Sequence, residues 1–79
     1  MKISKIDWFI YSDDWNVVDS GYSDWHQCPT VLMDDLFRNG IFPTHMTVYY
    51  DNNTIQSLNV KKNWIGDYEP MPFELEETA

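Results

Sequence analysis

Apolar and polar residues alternate at the start of the chain, which is the spacing of a β-strand. Between Ile3 and Tyr11 the side chains of Ile6, Trp8 and Ile10 fall on one side of an extended backbone, because successive side chains of a strand point to opposite faces. β-branched and aromatic residues, which favour strands, dominate this stretch. The pattern predicts a first strand over Ile3–Tyr11.

A turn and a second strand are predicted next. Residues 12–14, Ser-Asp-Asp, have short polar side chains that stabilise turns. Residues 15–20 have a Val-Val centre and end before Gly21, so we expect them to return beside the first strand as a hairpin. Residues 21–28 show no clear period and are predicted to form an ordered loop.

The spacing then changes to that of a helix. A first set of residues, all apolar, recurs three and four positions apart and falls on one face of a helix. A second set, mostly polar, falls on the opposite face. The first set is Leu32, Met33, Leu36 and Phe37, and the second is Val31, Asp34, Asp35 and Arg38. The helix begins either after Thr30 as its N-cap or with Pro29 as its first residue, and both alternatives remain open. It extends to Asn39 and ends at Gly40, a residue suited to the left-handed region.

Alternation returns after the helix. Residues 44–50 predict a third strand, and residues 54–60 predict its hairpin partner. Between them, Asp51 is followed by two asparagines, a strong turn signal because asparagine tolerates positive φ. Residues 61–67 are a candidate for a further short edge segment.

The predicted order of elements is β-β-α-β-β. Two hairpins that flank one helix most simply give a two-layer α+β domain, a four-stranded antiparallel sheet with the helix across one face. We assign residues 1–68 to this single compact domain. Residues 69–79, which contain prolines and glutamates, are expected to form a loosely held acidic tail.

Composition adds a strong charge imbalance to this picture. Among 79 residues, 13 are Asp or Glu and 5 are Lys or Arg, which gives a net charge of −8. A field of this sign repels nucleic acid and anionic membranes and speeds encounter with basic surfaces. Direct nucleic-acid binding is therefore not expected. Four Trp, five Tyr and four Phe supply apolar area for the core of so short a chain.

The best metal candidate is the pair His26 and Cys28, with His45 and either Asp34 or Asp35 as further ligands. Zinc accepts these ligand types in tetrahedral geometry, but structural sites usually have a second closely spaced pair. The chain lacks that second pair. We therefore predict no functional zinc and expect His26 and Cys28 to pack within their loop.

Catalytic arrangements are equally incomplete. Cys28 precedes a predicted helix start and could act as a nucleophile with a histidine, but a lone cysteine is more commonly a small buried apolar residue. The acidic pairs at residues 13–14 and 34–35 fall in a turn and on a solvated helix face. No glycine-rich phosphate loop is present. We predict that the protein is not an enzyme and needs no cofactor.

Acidic and aromatic residues interleave along the chain, which favours protein recognition. Charge guides the approach of a partner, and buried aromatic side chains supply much of the binding energy. The predicted partner-binding residues are Asp13, Asp14, Asp24, Trp25, Asp34, Asp35, Asp51 and Asp67.

In size, charge, aromatic content and lack of catalytic residues, the whole chain resembles the small acidic inhibitors made by bacteriophages. That group includes anti-CRISPR proteins, uracil-DNA glycosylase inhibitors and anti-restriction DNA mimics. The resemblance implies a protein that binds and blocks a host protein, above all one with a basic nucleic-acid-binding cleft. It assigns no role to any single residue.

The alternative is a small structural or interaction module, antitoxin-like or oligomer-forming, whose charge serves solubility. In either case we expect a monomer or a small homo-oligomer. A single cysteine, the lack of a leader-like segment and the lack of a long apolar run predict a cytoplasmic protein without a membrane span.

Overall fold

The computed structural model describes residues 2–72, which form one α-helix and a five-stranded antiparallel sheet. The strands lie in the order β2-β1-β3-β4-β5 across the sheet. The elements are β1 (Ile3–Tyr11), β2 (Val17–Ser23), α1 (Pro29–Arg38), β3 (His45–Tyr50), β4 (Ile55–Lys62) and β5 (Tyr68–Pro72). The predicted α+β class, the single helix and both hairpins are confirmed. The predicted count of four strands is one too low.

The core lies between α1 and one face of the sheet. On β1 and β3 the residues that pair across the strands, Ile6 with Val48 and Trp8 with Met46, all point to this face and are buried. Leu58 of β4 joins them. From the helix, the buried residues are Leu32, Met33 and Leu36. Both faces follow the sequence periodicity, because the period of two on the strands and the helical spacing on α1 select residues that meet in one layer.

The ends of α1 settle the alternative left open by the sequence. Pro29 is the first helical residue, and Cys28, with an extended backbone, takes the N-cap position without a side-chain hydrogen bond. The missing N–H of proline is harmless there, because the first N–H groups of a helix have no partner within it. At the other end, the N–H groups of Gly40 and Ile41 donate to the carbonyls of Phe37 and Leu36. Gly40 has φ 77°, the left-handed conformation predicted for the end of the helix, and the two bonds form a Schellman motif.

The second strand lies two to three residues later than predicted. Trp15 has φ 63°, a left-handed conformation that belongs to a turn and cannot start a strand. Gly21, predicted to follow the strand, lies inside it opposite Trp8. A Cβ atom at Gly21 would lie 2.5 Å from Cζ2 of Trp8. Glycine is therefore required in this strand so that the Trp8 ring can cover the backbone.

The fifth strand is formed mostly by residues 69–72, which the sequence assigned to the tail. The edge segment predicted over residues 61–67 is wrong, because these residues form the end of β4 and the turn that follows it. Tyr68–Pro72 pairs with β4, with Glu69 opposite Lys61 and Met71 opposite Asn59. The two prolines alternate with these residues at the edge of the sheet. An edge strand tolerates proline because the missing N–H can lie on the side without a neighbouring strand. Residues 73–79 of the predicted tail lie outside the described residues.

Candidate functional site

The predicted partner-binding residues are distributed over both ends of the sheet and the helix. Because neighbouring strands are antiparallel, the β1–β2 and β4–β5 turns lie at one end, and the β3–β4 turn and the loop after β2 lie at the other. The first end carries Asp13, Asp14 and Asp67, the second carries Asp24, Trp25 and Asp51, and α1 carries Asp34 and Asp35. The ends are separated by the length of the strands, roughly 20 Å. One surface does not hold them all.

Two of the predicted residues do come together. Asp34 on α1 and Asp67 in the β4–β5 turn line the same groove. Glu69 of β5 also contributes to the lining, but its side chain alternates with that of Tyr68 and pairs with Lys61 on the face of the sheet away from α1. The groove has a volume of about 510 Å³. Its remaining lining residues are Thr30, Met33, Phe37, Asn63, Gly66 and Tyr68. We call this feature the acidic groove.

Asn63 holds the turn that forms one wall of the acidic groove. Its Oδ1 accepts hydrogen bonds from the backbone N–H groups of Ile65 and Asp67, at 3.1 and 3.0 Å. Its Nδ2 donates to Oε2 of Glu69 at 3.2 Å. Gly66 has φ 90°, which the turn requires and which glycine adopts without strain. The side chain of Asn63 therefore fixes the turn and the carboxylate of Glu69 together.

The acidic groove continues into an apolar depression. Phe37 and Tyr68 line both, and their rings meet edge to face with centroids 6.0 Å apart. The depression has a volume of about 360 Å³ and is otherwise lined by Phe42, Pro43, Thr44 and Val60. The Phe42 ring lies 5.3 Å from that of Phe37 and is exposed. Carboxylates at one end and aromatic rings at the other give the continuous surface an amphipathic lining.

The groove carboxylates are free of ion pairs within the part of the chain that the structure describes. The ion pairs there join Lys5 to Asp7 and join Asp35 to His26 and Arg38. Asp34, Asp67 and Glu69 are in none of them. Basic side chains do stand near one wall of the groove, since Lys61 lies opposite Glu69 on β4 and Nζ of Lys62 lies 5.6 Å from the ring centroid of Tyr68. Asp34 and Asp67 have no such neighbour within ion-pair distance among residues 2–72, and their charge is available to an incoming cation.

Asp35 departs from the predicted solvated face of the helix. Its Oδ2 lies 2.8 Å from Nε2 of His26, whose Nδ1 lies 2.6 Å from Oγ of Ser23. His26 is only 5% exposed, and the ring of Trp25 stacks on it with centroids 3.7 Å apart. This arrangement joins the loop after β2 to α1. Sequence reasoning missed it because neither residue stands in a recognisable motif.

Ser23, His26 and Asp35 are connected in series by side-chain contacts. A serine, a histidine and an aspartate so connected are also the residues of a nucleophilic catalytic triad. Ser23 is buried, and its Oγ also accepts weak hydrogen bonds from the N–H groups of Trp25 and His26. A nucleophile must reach a substrate carbonyl, and this oxygen is enclosed by its own loop. The contacts among these three residues hold the loop after β2 against α1.

The residues of the candidate zinc site do not converge. Both ring nitrogens of His26 are occupied by Ser23 and Asp35, Cys28 is exposed, and His45 lies on β3. Within residues 2–72, no group of three or more His, Cys, Asp or Glu side chains is placed to hold a metal ion.

Comparison of the chain with protein-family models, with curated proteins and with solved structures gives no match. Across residues 2–72, no helix combines the length and the apolar character needed to span a membrane.

Proposed function

We propose that this protein binds a basic surface of another protein and blocks it, and that the acidic groove is the site of contact. The observation that carries the proposal is the convergence of Asp34 and Asp67 beside the rings of Phe37 and Tyr68. A partner surface that fits this site carries basic side chains next to an apolar side chain. The basic side chains enter the acidic groove, and the apolar one packs in the depression near Phe42.

The charge of the whole chain supports a basic partner. A net charge of −8 accelerates encounter with a positive surface, and the carboxylates of Asp34 and Asp67, which form no ion pair within residues 2–72, then contribute short-range contacts. Exposed aromatic residues beside the groove add apolar area. Trp64 in the β4–β5 turn is 95% exposed, and an exposed tryptophan is a common anchor in protein interfaces.

The resemblance to phage inhibitors favours a particular kind of basic surface. Nucleic-acid-handling proteins carry positive clefts, and a negatively charged protein that occupies such a cleft excludes the nucleic acid. On this proposal the protein is a non-enzymatic counter-defence or host-takeover inhibitor. Its partner is a host protein, and nucleic acid is a competitor for the partner and not a ligand of this chain.

Two double variants with the same net charge test the proposal. Asp34→Lys with Asp67→Lys reverses the acidic groove, and Asp24→Lys with Asp51→Lys reverses exposed residues at the other end of the sheet. Each substitution raises the charge by two, so both variants carry −4 and lose long-range attraction equally. Proteins captured from a host lysate on each immobilised variant are compared with those captured on the original chain.

We expect the groove variant to lose a captured protein that the control variant retains. The affinity for that protein is then measured across a salt series and against competing duplex DNA, and both salt and DNA should weaken binding. Equal retention by both variants would contradict the groove as the contact site. If affinity is also independent of salt, the charge serves solubility and the alternative of a structural module is correct.

A further inference from the structure

A second cavity lies on the face of the sheet that α1 does not cover. Phe9 pairs with His45, and Thr47 pairs with Ser57, all on the side opposite the buried core residues. These residues, together with Tyr11, Trp15 and backbone of β3 and β4, surround a volume of about 300 Å³. We call it the aromatic pocket. It is separated from the acidic groove by the thickness of the sheet.

Four of the eight residues that line the aromatic pocket carry aromatic rings. The rings of Tyr11 and His45 meet edge to face with centroids 4.7 Å apart. The Trp15 ring lies 5.8 Å from that of His45 and 6.1 Å from that of Tyr11, and Phe9 lies 6.1 Å from Tyr11. Ring faces carry negative electrostatic potential and attract a cation placed within about 6 Å of a ring centroid.

Trp15 is held over the pocket by a strained backbone. It has φ 63°, which is uncommon for a bulky residue. Backbone hydrogen bonds from Trp15 N–H to the Ser12 carbonyl and from Ser12 N–H to the Asn16 carbonyl maintain the turn, yet the indole is 71% exposed. Because the side chain is largely exposed, burial of its apolar area offsets little of the backbone strain. Residues in such conformations concentrate at ligand clamps, where the strain positions a contacting side chain.

His45 offers the pocket a hydrogen-bond acceptor. Thr44 Oγ1 accepts from the N–H of Tyr11, lies 2.8 Å from Nδ1 of His45 and lies 3.3 Å from the carbonyl of Phe9. A hydroxyl has one hydrogen to donate, so all three contacts are hydrogen bonds only if Nδ1 carries a proton and Thr44 donates to Phe9. We assign this tautomer, which leaves Nε2 as an acceptor. Burial lowers the pKa of His45 below its ordinary value, which favours the uncharged ring.

The surroundings of the pocket are complementary to a cation. Asp13 and Asp14 stand in the same turn as Trp15, and both are exposed. The same face of the sheet already holds one cation against rings, since Nζ of Lys5 lies 4.6 Å from the ring centroid of Tyr49 and 6.0 Å from that of Tyr22. Among residues 2–72, no lysine or arginine lies over Phe9, Tyr11 or Trp15.

We propose that the aromatic pocket binds the guanidinium group of an arginine side chain presented by a partner protein. A guanidinium stacks on aromatic rings and carries N–H donors for Nε2 of His45 and the hydroxyls of Thr47 and Ser57. A lysine ammonium is more strongly hydrated and does not stack, and a quaternary ammonium has no donor. This inference goes beyond the acidic groove, because the two sites lie on opposite faces of the sheet and either can fail without the other.

The test uses capped pentapeptides with a central arginine, lysine or citrulline between glycines, titrated against the full chain. Backbone amide NMR shifts of β1 and β3 report binding at the pocket. We expect the arginine peptide to bind about tenfold more tightly than the citrulline peptide, which has nearly the same shape but no charge. The lysine peptide should fall between them. Equal binding of arginine and citrulline, equal binding of arginine and lysine, or no shift on β1 and β3 would overturn the proposal.

Trp15→Gly and its control variants locate the bound arginine. Trp15→Gly removes the indole and suits the positive φ, so the turn should persist while binding falls about fivefold or more. Trp64→Ala, which removes an even more exposed tryptophan from the β4–β5 turn, should leave binding unchanged. In the variant with Asp34→Lys and Asp67→Lys, the arginine peptide should still shift the amides of β1 and β3, with the same affinity as in the variant with Asp24→Lys and Asp51→Lys, which has the same net charge. This result separates the aromatic pocket from the acidic groove. Retention of binding by Trp15→Gly would overturn the proposal.

Discussion

The Nε2 atom of His26 lies 2.8 Å from Oδ2 of Asp35, which joins the loop after β2 to the middle of the helix. His26 is nearly inaccessible, and Trp25 covers its ring. This contact places a carboxylate at the edge of the core. It gives Asp35 a structural role that its acidic neighbour Asp34 lacks.

Asp35→Ala should therefore destabilise the fold. The substitution leaves a buried ring nitrogen of His26 without its partner, and we expect a loss of about 1–2 kcal/mol in the free energy of unfolding. Asp34→Ala is the matched control, because Asp34 is one position earlier on the same helix and is exposed. Its effect should stay within about 0.5 kcal/mol. Equal unfolding midpoints in urea for the two variants would show that the contact contributes nothing.

Gly21→Ala should destabilise the sheet by overpacking. A Cβ atom there would lie 2.5 to 2.9 Å from ring atoms of Trp8, which is itself buried. We expect a cost of about 1–3 kcal/mol, because the indole must shift within a filled core.

Gly40→Ala is the comparison for Gly21→Ala. Nothing lies within 4 Å of a Cβ atom at Gly40, so its cost arises from φ 77° alone and should be about 1 kcal/mol. Thermal unfolding of both variants distinguishes the two mechanisms. A second substitution, Trp8→Leu, should lessen the effect of Gly21→Ala and leave that of Gly40→Ala unchanged. Additive effects at residues 8 and 21 would contradict the steric explanation.

Leu36→Ala tests the assignment of the helix faces. Leu36 packs between α1 and the sheet, so its truncation removes buried area, leaves a cavity and should cost about 2–5 kcal/mol. Val31→Ala removes an apolar side chain from the exposed face of the same helix and should cost much less. Similar shifts of the unfolding midpoint for both would show that the faces are wrongly assigned.

The sequence was sufficient where one periodicity runs along a whole element. β1 and α1 were placed correctly because alternation continues through Ile3–Tyr11 and because proline and glycine mark the two ends of the helix. The start of β2 was wrong because the left-handed backbone of Trp15 has no signature in residue type. β5 was missed because proline predicts a break, whereas an edge strand can accommodate it.

The same limits apply to the acidic groove. Asp34 and Asp67 were both named as partner-binding residues, but their convergence depends on β5 lying beside α1, and Glu69 was assigned to a tail. Asp35 was placed on the solvated face because helical spacing shows only the direction toward the sheet. It does not show that the loop after β2 packs along the flank of the helix. Contacts between segments distant in sequence determine these features, and no local pattern encodes them.

His45 should make stability depend on pH. Burial lowers its pKa below the ordinary value of 6.5, so the unfolded chain takes up a proton at a higher pH than the folded chain does. The free energy of unfolding therefore has its full value above about pH 6.5 and falls as the pH drops below that value. Once the pH is below the pKa of the folded state, His45 is protonated in both states and its contribution no longer changes with pH. His45→Asn removes the titrating ring and can keep a contact to Thr44 through its amide.

The urea midpoints of both proteins, measured from pH 7.5 to pH 5, isolate this effect, because every other ionisable residue is the same in both proteins. We expect the original chain to lose more stability than His45→Asn over this range. The cost in stability of placing asparagine in a strand is the same at every pH, so it does not affect the comparison of the two pH dependences. Parallel curves would show that His45 has the same proton affinity in the folded and unfolded chains, and that the aromatic pocket does not keep its ring uncharged.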